Sequence, residues 1–145
     1  MDDSAVGMSA LEAMPLFAAV NRHDLENLLK LGQLQTFEPG KKIVERGDPS
    51  DSLYIVLRGT ARVDVGGRTH LLKQGDFFGE MGVIARKSRM ATVIADERVD
   101  ALRLGADELE RFLLHQPRVA LEMLRSLVER LREAQERIDA WAGVW

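Results

Sequence analysis

The sequence contains no cysteine among its 145 residues. This absence excludes disulfide bonds, metal sites built on thiolates and iron–sulfur clusters that are held by cysteine. A redox sensor built on any of these groups is therefore excluded.

Long apolar runs and a large excess of one charge are also missing. No apolar stretch approaches the length of a membrane-spanning helix, and the N-terminus has no basic segment ahead of an apolar one. The 20 basic and 23 acidic residues leave a net charge of -3, which gives no general attraction to nucleic acid or to an anionic membrane. We therefore expect a cytoplasmic protein that binds neither of them.

The sequence shows no pattern typical of a catalytic or metal-binding centre. His23, His70 and His115 are scattered, without the spacing of metal ligands and without a nucleophile beside them. Asp48, Asp51 and Asp76 lie in predicted turns, where aspartate commonly bonds its own backbone. We therefore expect neither an enzyme nor a resident metal.

The composition that remains is that of one globular domain. Hydrophobic residues make up 46% and charged residues 30% of the chain, and 145 residues allow one domain with a full core. We predict a single domain over residues 1–145, with a helical N-terminus over 1–33, a β-roll over 34–104 and C-terminal helices over 106–141.

Glycine divides the middle of the chain into short runs that favour β-structure. The runs are rich in valine, isoleucine, leucine and aromatic residues, and the glycine-containing turns are Pro39-Gly40, Gly47-Asp48, Gly59, Gly66-Gly67 and Gly75. Gly66-Gly67 can supply the positive φ angles that a two-residue hairpin turn requires. The pattern predicts an α+β fold whose centre is an antiparallel β-roll, or jelly roll, of about eight short strands.

Helices are predicted on both sides of this roll. Asn21 can cap a helix from about Arg22 to Lys30. Downstream, residues 106–114 suit a short helix, and Pro117 is favoured at the first position of a longer helix that runs to about Trp141. The roll should thus be flanked by an N-terminal helix and two C-terminal helices.

The most informative pattern lies between Asp76 and Val93. Arg89 offers a rigid fork of N–H donors that suits the single charge of a cyclic phosphodiester. Gly79 and Gly82 permit close approach, and residues 80–85 can form one helical turn whose amides face an anion. Glu80 accepts hydrogen bonds when it is ionised, so its natural partner is the ribose 2′-hydroxyl. The pattern predicts a pocket for a sugar joined to a phosphate, and the alternative is a surface ion pair between Glu80 and Arg89.

These residues resemble the phosphate-binding cassette of the cyclic nucleotide-binding domains, a family that includes kinase regulatory subunits, gated channels and bacterial catabolite activator proteins. The cassette has the form Gly-Glu, a hydrophobic residue, Ala or Gly, a few variable residues, and then Arg, any residue, Ala, and Ser or Thr. The matching positions here are Gly79, Glu80, Met81, Gly82, Arg89, Met90, Ala91 and Thr92. The segment from Glu45 to Gly59 also resembles the first hairpins of the family's roll, so the likeness spans nearly the whole chain.

The resemblance implies a cyclic mononucleotide as ligand. Relatives that prefer cyclic GMP tend to have Thr or Ser directly after the cassette arginine, whereas Met90 has no hydroxyl there. Cyclic AMP is therefore the expected ligand, and cyclic GMP is less favoured.

The long C-terminal helix carries a heptad-like apolar stripe. Its members are Ala120, Leu124, Leu127, Leu131, Ala134, Ile138 and Trp141. Such a stripe is typical of a helix that pairs with a second copy, while Leu121, Met123 and Val128 widen it on one flank. We predict a homodimer through this helix. The alternative is that the stripe only covers the roll.

The resemblance also assigns roles on this helix. Arg130 falls where the family has an arginine that reaches toward the cassette glutamate, and a bond to Glu80 would connect ligand occupancy to helix position; a solvated Arg130 is the alternative. Gln135 falls at a base-contacting position of the bacterial activator and could bond the base. Trp141 or Trp145 could stack on the base, although such tryptophans more often only pack.

These observations predict a sensor domain whose long helix moves when a cyclic nucleotide binds and is read by an unknown protein partner. The DNA-reading segment that follows this helix in the bacterial activators is not in the sequence, so direct DNA binding is not expected. Three other hypotheses stay open: a nucleotide-free interaction scaffold, a regulatory fragment of a larger protein, and a phosphodiesterase, which would lack its usual metal ligands.

Overall fold

The computed structural model describes residues 3–65 and 68–138, except for the side chains of residues 3, 4, 65, 81, 137 and 138. The chain begins with α1 (Asp3–Glu12), a 3-10 turn (Pro15–Phe17) and α2 (Arg22–Leu31). The strands are β1 (Gln33–Phe37), β2 (Lys42–Val44), β3 (Ser52–Arg58), β4 (Ala61–Val65), β5 (Arg68–Leu72), β6 (Phe77–Phe78), β7 (Thr92–Ala95) and β8 (Val99–Gly105). Helix α3 (Glu80–Ala85) lies between β6 and β7, and α4 (Ala106–His115) and α5 (Pro117–Ile138) follow the last strand.

The eight strands form two four-stranded antiparallel sheets. Their orders are β1-β8-β3-β6 and β2-β7-β4-β5. The predicted α+β roll of about eight short strands, with helices before and after it, is therefore confirmed. Strand β5 pairs with β4 so that Arg68 lies opposite Val65, as a two-residue hairpin requires. The predicted turn residues, Gly66 and Gly67, lie outside the described residues.

Strand β3 is covered on both faces because it lies between two hydrophobic cores. Alternate side chains of a strand point to opposite faces. Leu53, Ile55 and Leu57 accordingly pack with the helices, while Tyr54 and Val56 point into the roll. The first six residues of the strand are buried as a result. Strand β3 follows the loop of residues 45–51, which contacts the predicted phosphate site at Arg89.

The helices follow the predicted order, with one addition at the N-terminus. The Asn21 side chain caps α2 by accepting a hydrogen bond from the Asp24 amide, as predicted, and α1 precedes it as a further helix. Helix α5 buries Val119 and Met123 against the body of the protein. Leu124 and Leu131 of the apolar stripe stay 58% and 54% exposed. The predicted positions Trp141 and Trp145 lie outside the described residues.

A carboxylate joins three strands at the end of the first sheet. Asp100 of β8 accepts hydrogen bonds from Thr36 of β1 at 2.8 Å and from Arg58 of β3 at 2.8 Å. Burial alone would raise the pKa of Asp100, but these hydrogen bonds and the charges of Arg58 and Arg98 hold it below the ordinary value of 3.8. The ionised form therefore stabilises the fold.

Replacing Asp100 with asparagine should lower the free energy of unfolding by about 1 to 2 kcal/mol at neutral pH. The native pKa of Asp100 is depressed, so its contribution is complete above the unfolded value of about 4 and is lost as the pH falls through the native value. Urea unfolding of both proteins at several pH values should show a difference that narrows in acid. Asp64→Asn, at an exposed carboxylate, is the control, and a pH-independent difference would contradict the assignment.

Candidate functional site

Helix α3 confirms the single helical turn that the sequence predicts between Glu80 and Ala85. It begins at Gly79, whose φ of +95° lies in the left-handed region that L side chains rarely adopt. A Cβ at Gly79 would collide with the guanidinium of Arg89 and lie 2.8 Å from the carbonyl oxygen of Ser52. A Cβ at Gly82 would collide with the Ser50 side chain. Both positions therefore require glycine, because neighbouring side chains approach the backbone too closely to leave room for a Cβ.

Arg89 follows the loop after α3 and is buried, with 8% of its surface exposed. Its Nη2 donates to the carbonyl oxygen of Ser52 at 2.9 Å and to the Ser52 hydroxyl at 3.1 Å. Its guanidinium carbon lies 5.7 Å from the centre of the Tyr54 ring. The Nη1 atom is buried and has no hydrogen-bond partner within residues 3–65 and 68–138. Because a buried cationic donor is costly to leave unpaired, this atom is the natural binding point for an anion.

The surroundings of Arg89 keep it charged but poorly solvated. Burial lowers the pKa of Arg89 below its ordinary range, and electrostatic interactions with Tyr54 and Asp51 partly oppose that shift. A guanidinium nevertheless stays protonated at neutral pH. Coulomb attraction between this cation and a phosphate is strengthened where water is excluded.

A second layer of polar contacts holds the Ser52 side chain that supports Arg89. The Ser52 hydroxyl donates to the Asp51 carboxylate at 3.1 Å, and Arg103 lies 3.2 Å from the same carboxylate. Burial acts to raise the pKa of Asp51, but the Ser52 hydrogen bond and the charge of Arg103 lower it overall. These contacts orient the Ser52 hydroxyl so that its oxygen accepts the hydrogen bond from Arg89 Nη2.

Glu80 and Arg130 form the contact between the cassette and the long helix that the family resemblance implies. Arg130 Nη1 lies 2.7 Å from Glu80 Oε1, and Arg130 Nη2 donates to the Phe77 carbonyl oxygen at 2.9 Å. The Arg130 guanidinium also lies 4.7 Å from the centre of the Phe77 ring. Glu80 is buried, with 7% of its surface exposed. The predicted ion pair is therefore present, and Arg130 is not merely solvated.

These groups surround one cavity of about 500 Å³, a size typical of small-molecule sites. It is lined by Val44, Ser50, Val63, His70, Leu71, Leu72, Asp76, Phe77, Phe78, Gly79, Glu80, Gly82, Ser88, Arg89, Met90, Ala91, Val93, Arg130 and Glu133. The cavity thus combines an unpaired cationic donor, a buried carboxylate and an apolar wall from the second sheet. A phosphate, a sugar and a planar base require these three environments.

Seven of the nine residues predicted to bind ligand line this cavity. They are Gly79, Glu80, Gly82, Arg89, Met90, Ala91 and Arg130. Gln135 is not among the lining residues, and its buried Oε1 atom has no hydrogen-bond partner in the part of the chain that the structure describes. The Met81 side chain lies outside the described part of the structure. The roles of all nine residues as ligand contacts stay predictions.

Sequence reasoning missed several residues of the site. Ser50, Ser52 and Tyr54 lie in or beside a segment that was recognised only as a hairpin of the roll, yet all three contact the cassette. Glu133 lines the cavity from α5. A serine or tyrosine at such a position carries no signal of its own, because only the folded chain brings it to Arg89.

A larger depression of about 820 Å³ lies between α1 and α2, but its chemistry differs. Three of its charged residues form ion pairs with one another, since Arg22 contacts Glu12 at 3.0 Å and Glu26 at 3.4 Å. None of the buried, unpaired polar atoms of the described residues lies there. We therefore assign the functional site to the cavity beside Arg89.

The described residues contain no group of three or more histidine, aspartate or glutamate side chains that could hold a metal ion. Within the same residues, no helix has both the length and the apolar character needed to cross a membrane.

Comparison with known proteins identifies relatives of this site and fold. The family model of the cyclic nucleotide-binding domain matches residues 34–116. The cGMP-dependent protein kinase of Toxoplasma gondii is 40% identical over 81 residues, which cover 55% of this chain and 8% of the kinase. The cyclic AMP receptor protein of Thermus thermophilus is 30% identical over 135 residues, which cover 89% of this chain and 62% of the receptor.

A solved structure shows the same fold. The crystal structure of the Thermus thermophilus catabolite activator protein has a TM-score of 0.77 and 30% sequence identity to this chain. The alignment covers 88% of this chain and 63% of the activator chain. The chain therefore spans less than two thirds of the length of each of these relatives.

Proposed function

Because the chain belongs to the cyclic nucleotide-binding domain family, we propose that the cavity beside Arg89 binds a cyclic mononucleotide, with cyclic AMP preferred over cyclic GMP. The observation that carries this proposal is the buried Nη1 atom of Arg89, which has no hydrogen-bond partner among the described residues and is chemically suited to an exocyclic phosphate oxygen. Glu80 lines the same cavity and would accept a hydrogen bond from the ribose 2′-hydroxyl.

The preference for cyclic AMP is supported by Met90 and by one relative. Met90 lines the cavity directly after the phosphate-binding arginine and offers no hydroxyl for guanine. The cyclic AMP receptor protein aligns with 89% of this chain, whereas the cGMP-dependent kinase aligns with 55%. We expect isothermal titration to give one site per chain for cyclic AMP and weaker binding for cyclic GMP. Tighter binding of cyclic GMP would reverse the preference, and no heat with either nucleotide would favour the interaction scaffold.

We further propose that ligand occupancy changes the position of α5. Arg130 of α5 bonds the carboxylate that would also hold the ribose, so nucleotide and helix share one group. A ligand shifts such an equilibrium only by its differential affinity for the two states. The closed state, in which α5 lies over the cavity, is therefore the state that cyclic AMP should bind better.

Replacing Arg130 with methionine tests this connection. The change leaves the buried Glu80 carboxylate without its partner, so we expect cyclic AMP affinity to fall about tenfold. Amide hydrogen exchange in residues 131–138 should rise at the same time. In a cycle with Glu80→Gln, the two changes should be non-additive by about 1 to 2 kcal/mol. Arg132→Met, at an arginine 69% exposed on the same helix, is the matched control. Equal losses of cyclic AMP affinity in both arginine variants would contradict the proposed connection between ligand and α5.

The exposed stripe on α5 supports a homodimer. Leu121, Leu124, Val128 and Leu131 are 46 to 58% exposed, which would leave four large apolar side chains of one helix in water if the chain stayed monomeric. Pairing of two α5 helices would bury them.

We expect light scattering to give the mass of two chains for the natural protein and of one chain for the variant Leu124→Asp, Leu131→Asp. Burying two carboxylates in each helix of the paired interface would be too costly to allow association. Leu114→Asp is the control, because Leu114 is 74% exposed and lies on α4, outside the stripe. A natural protein that is already monomeric would contradict the homodimer.

The partner that reads α5 is not identified by these contacts. Because the chain spans only part of its relatives, regulation of a longer protein is compatible with the same mechanism. The cytoplasmic location, the lack of enzymatic activity and the absence of nucleic-acid and membrane binding stay predictions.

A further inference from the structure

Three buried side-chain atoms of the described residues have no hydrogen-bond partner. They are Ser50 Oγ, Arg89 Nη1 and Gln135 Oε1. Such atoms are rare in folded proteins, and each normally has a ligand, water or functional reason. Two of the three belong to residues that line the same cavity, Ser50 and Arg89. Both are donors, so a single acceptor group could satisfy them together.

Ser50 is held in place by contacts between its loop and the segment around Arg89. The loop of residues 45–51 lies between β2 and β3. The amide of Gly47 donates to the carbonyl oxygen of Arg89 at 3.0 Å, and the amide of Arg89 donates to the carbonyl oxygen of Asp48 at 2.8 Å. These bonds place the Ser50 side chain directly against Gly82, in the first turn of α3. Its hydroxyl therefore lies on one side of that turn.

Arg89 approaches the same turn from its beginning. A Cβ at Gly79 would collide with Arg89 Nη1. In the same way, a Cβ at Gly82 would collide with the Ser50 side chain. The two unpaired donors thus lie close to Gly79 and Gly82, the two glycines of the cassette. A hydroxyl hydrogen that has no protein acceptor gains most from a charged oxygen.

We propose that Ser50 donates a hydrogen bond to an exocyclic oxygen of the cyclic phosphate, as a second side-chain ligand beside Arg89. This inference rests on the proposed function and adds a contact from outside the cassette. The phosphate then bridges α3 and the loop of residues 45–51. That loop leads into Asp51, whose carbonyl oxygen accepts from the first amide of α4, that of Ala106, at 3.0 Å. Occupancy at Ser50 thereby stiffens the connection between the phosphate site and the C-terminal helices.

The test compares cyclic AMP with its two phosphorothioate diastereomers, each of which replaces one exocyclic oxygen with sulfur, a poorer acceptor. Isothermal titration should show that Ser50→Ala weakens cyclic AMP binding about tenfold. It should also remove the penalty that sulfur causes in one diastereomer and leave the penalty in the other. Ser50→Gly, which also removes the hydroxyl, should behave in the same way. Ser9→Ala, at an exposed serine of α1, should change neither quantity.

The outcomes separate a failure of this inference from a failure of the proposed function. If the natural protein binds cyclic AMP but Ser50→Ala leaves affinity and diastereomer ratio unchanged, this inference is wrong and the proposed function stands. If affinity falls while the ratio is unchanged, Ser50 acts only through packing and the inference is again wrong. If the natural protein binds no cyclic nucleotide, the proposed function itself fails. Thermal unfolding of every variant shows whether the loop still folds.

Discussion

Replacing Arg89 with alanine should weaken cyclic AMP binding by about 2 to 5 kcal/mol, which is between about 30-fold and several thousandfold. The reason is that the phosphate would lose its cationic partner, and because Arg89 is buried, with 8% of its surface exposed, little water could take the place of the guanidinium. Arg89→Lys should fall between the natural protein and the alanine variant, because an ammonium keeps the charge but lacks the planar fork. Isothermal titration measures all three affinities.

The control for Arg89 is its neighbour Lys87. That lysine is exposed, so Lys87→Ala removes a nearby positive charge without removing a buried donor. We expect its effect to be small and to disappear at high salt, since exposed charges are screened. If Arg89→Ala bound cyclic AMP as well as the natural protein, the pocket assignment would be wrong. If the two variants lost affinity equally, the loss would reflect general attraction and not a specific contact.

Replacing Gly79 with alanine should weaken cyclic AMP binding to a similar degree, because it strains the backbone and displaces the Arg89 side chain. Alanine at a φ of +95° is strained, at a cost of about 1 to 3 kcal/mol in stability. The new Cβ would also collide with the guanidinium of Arg89, so Arg89 would have to leave the position that orients Nη1. We therefore expect a loss of cyclic AMP affinity of about 2 kcal/mol or more, beyond the loss of stability.

Gly40 provides a matched control for Gly79. Its φ is +86°, and a Cβ there would meet nothing within 4 Å. Gly40→Ala should therefore show the backbone strain alone, as a lower unfolding temperature with unchanged ligand affinity. Comparing the two variants by thermal unfolding and by titration separates strain from collision. Equal affinities in the two variants would show that close packing between Gly79 and Arg89 has no role in binding.

Much of the fold was predictable because its signals are local. The glycine-separated runs predicted the strands, and glycines at positive φ do occur at Gly47, Gly59 and Gly75, where turns were expected. The side-chain cap from Asn21 and the single turn of α3 depend only on neighbouring residues, and both are present. The observed ends of helices and strands differ from the predicted ends by one or two residues. Strand β1, for example, begins at residue 33 and not at 34.

The candidate site was predictable only where a resemblance fixed the spacing. The bond between Arg130 and Glu80 joins residues 50 positions apart and was predicted from the family position of that arginine. No comparable signal exists for Ser50, Ser52 or Tyr54. Their contacts with the cassette arise only when β3 and the loop before it pack beside Arg89, and sequence periodicity does not specify which polar side chain then reaches Arg89.

The central claim is that Arg89 and Glu80 hold the phosphate and the ribose of one cyclic nucleotide. A crystal structure of the protein grown with millimolar cyclic AMP tests it most directly. We expect a phosphate oxygen within hydrogen-bond distance of Arg89 Nη1 and the 2′-hydroxyl within hydrogen-bond distance of the Glu80 carboxylate. Cyclic AMP bound elsewhere, or a cavity filled by side chains with those two groups turned apart, would contradict the claim.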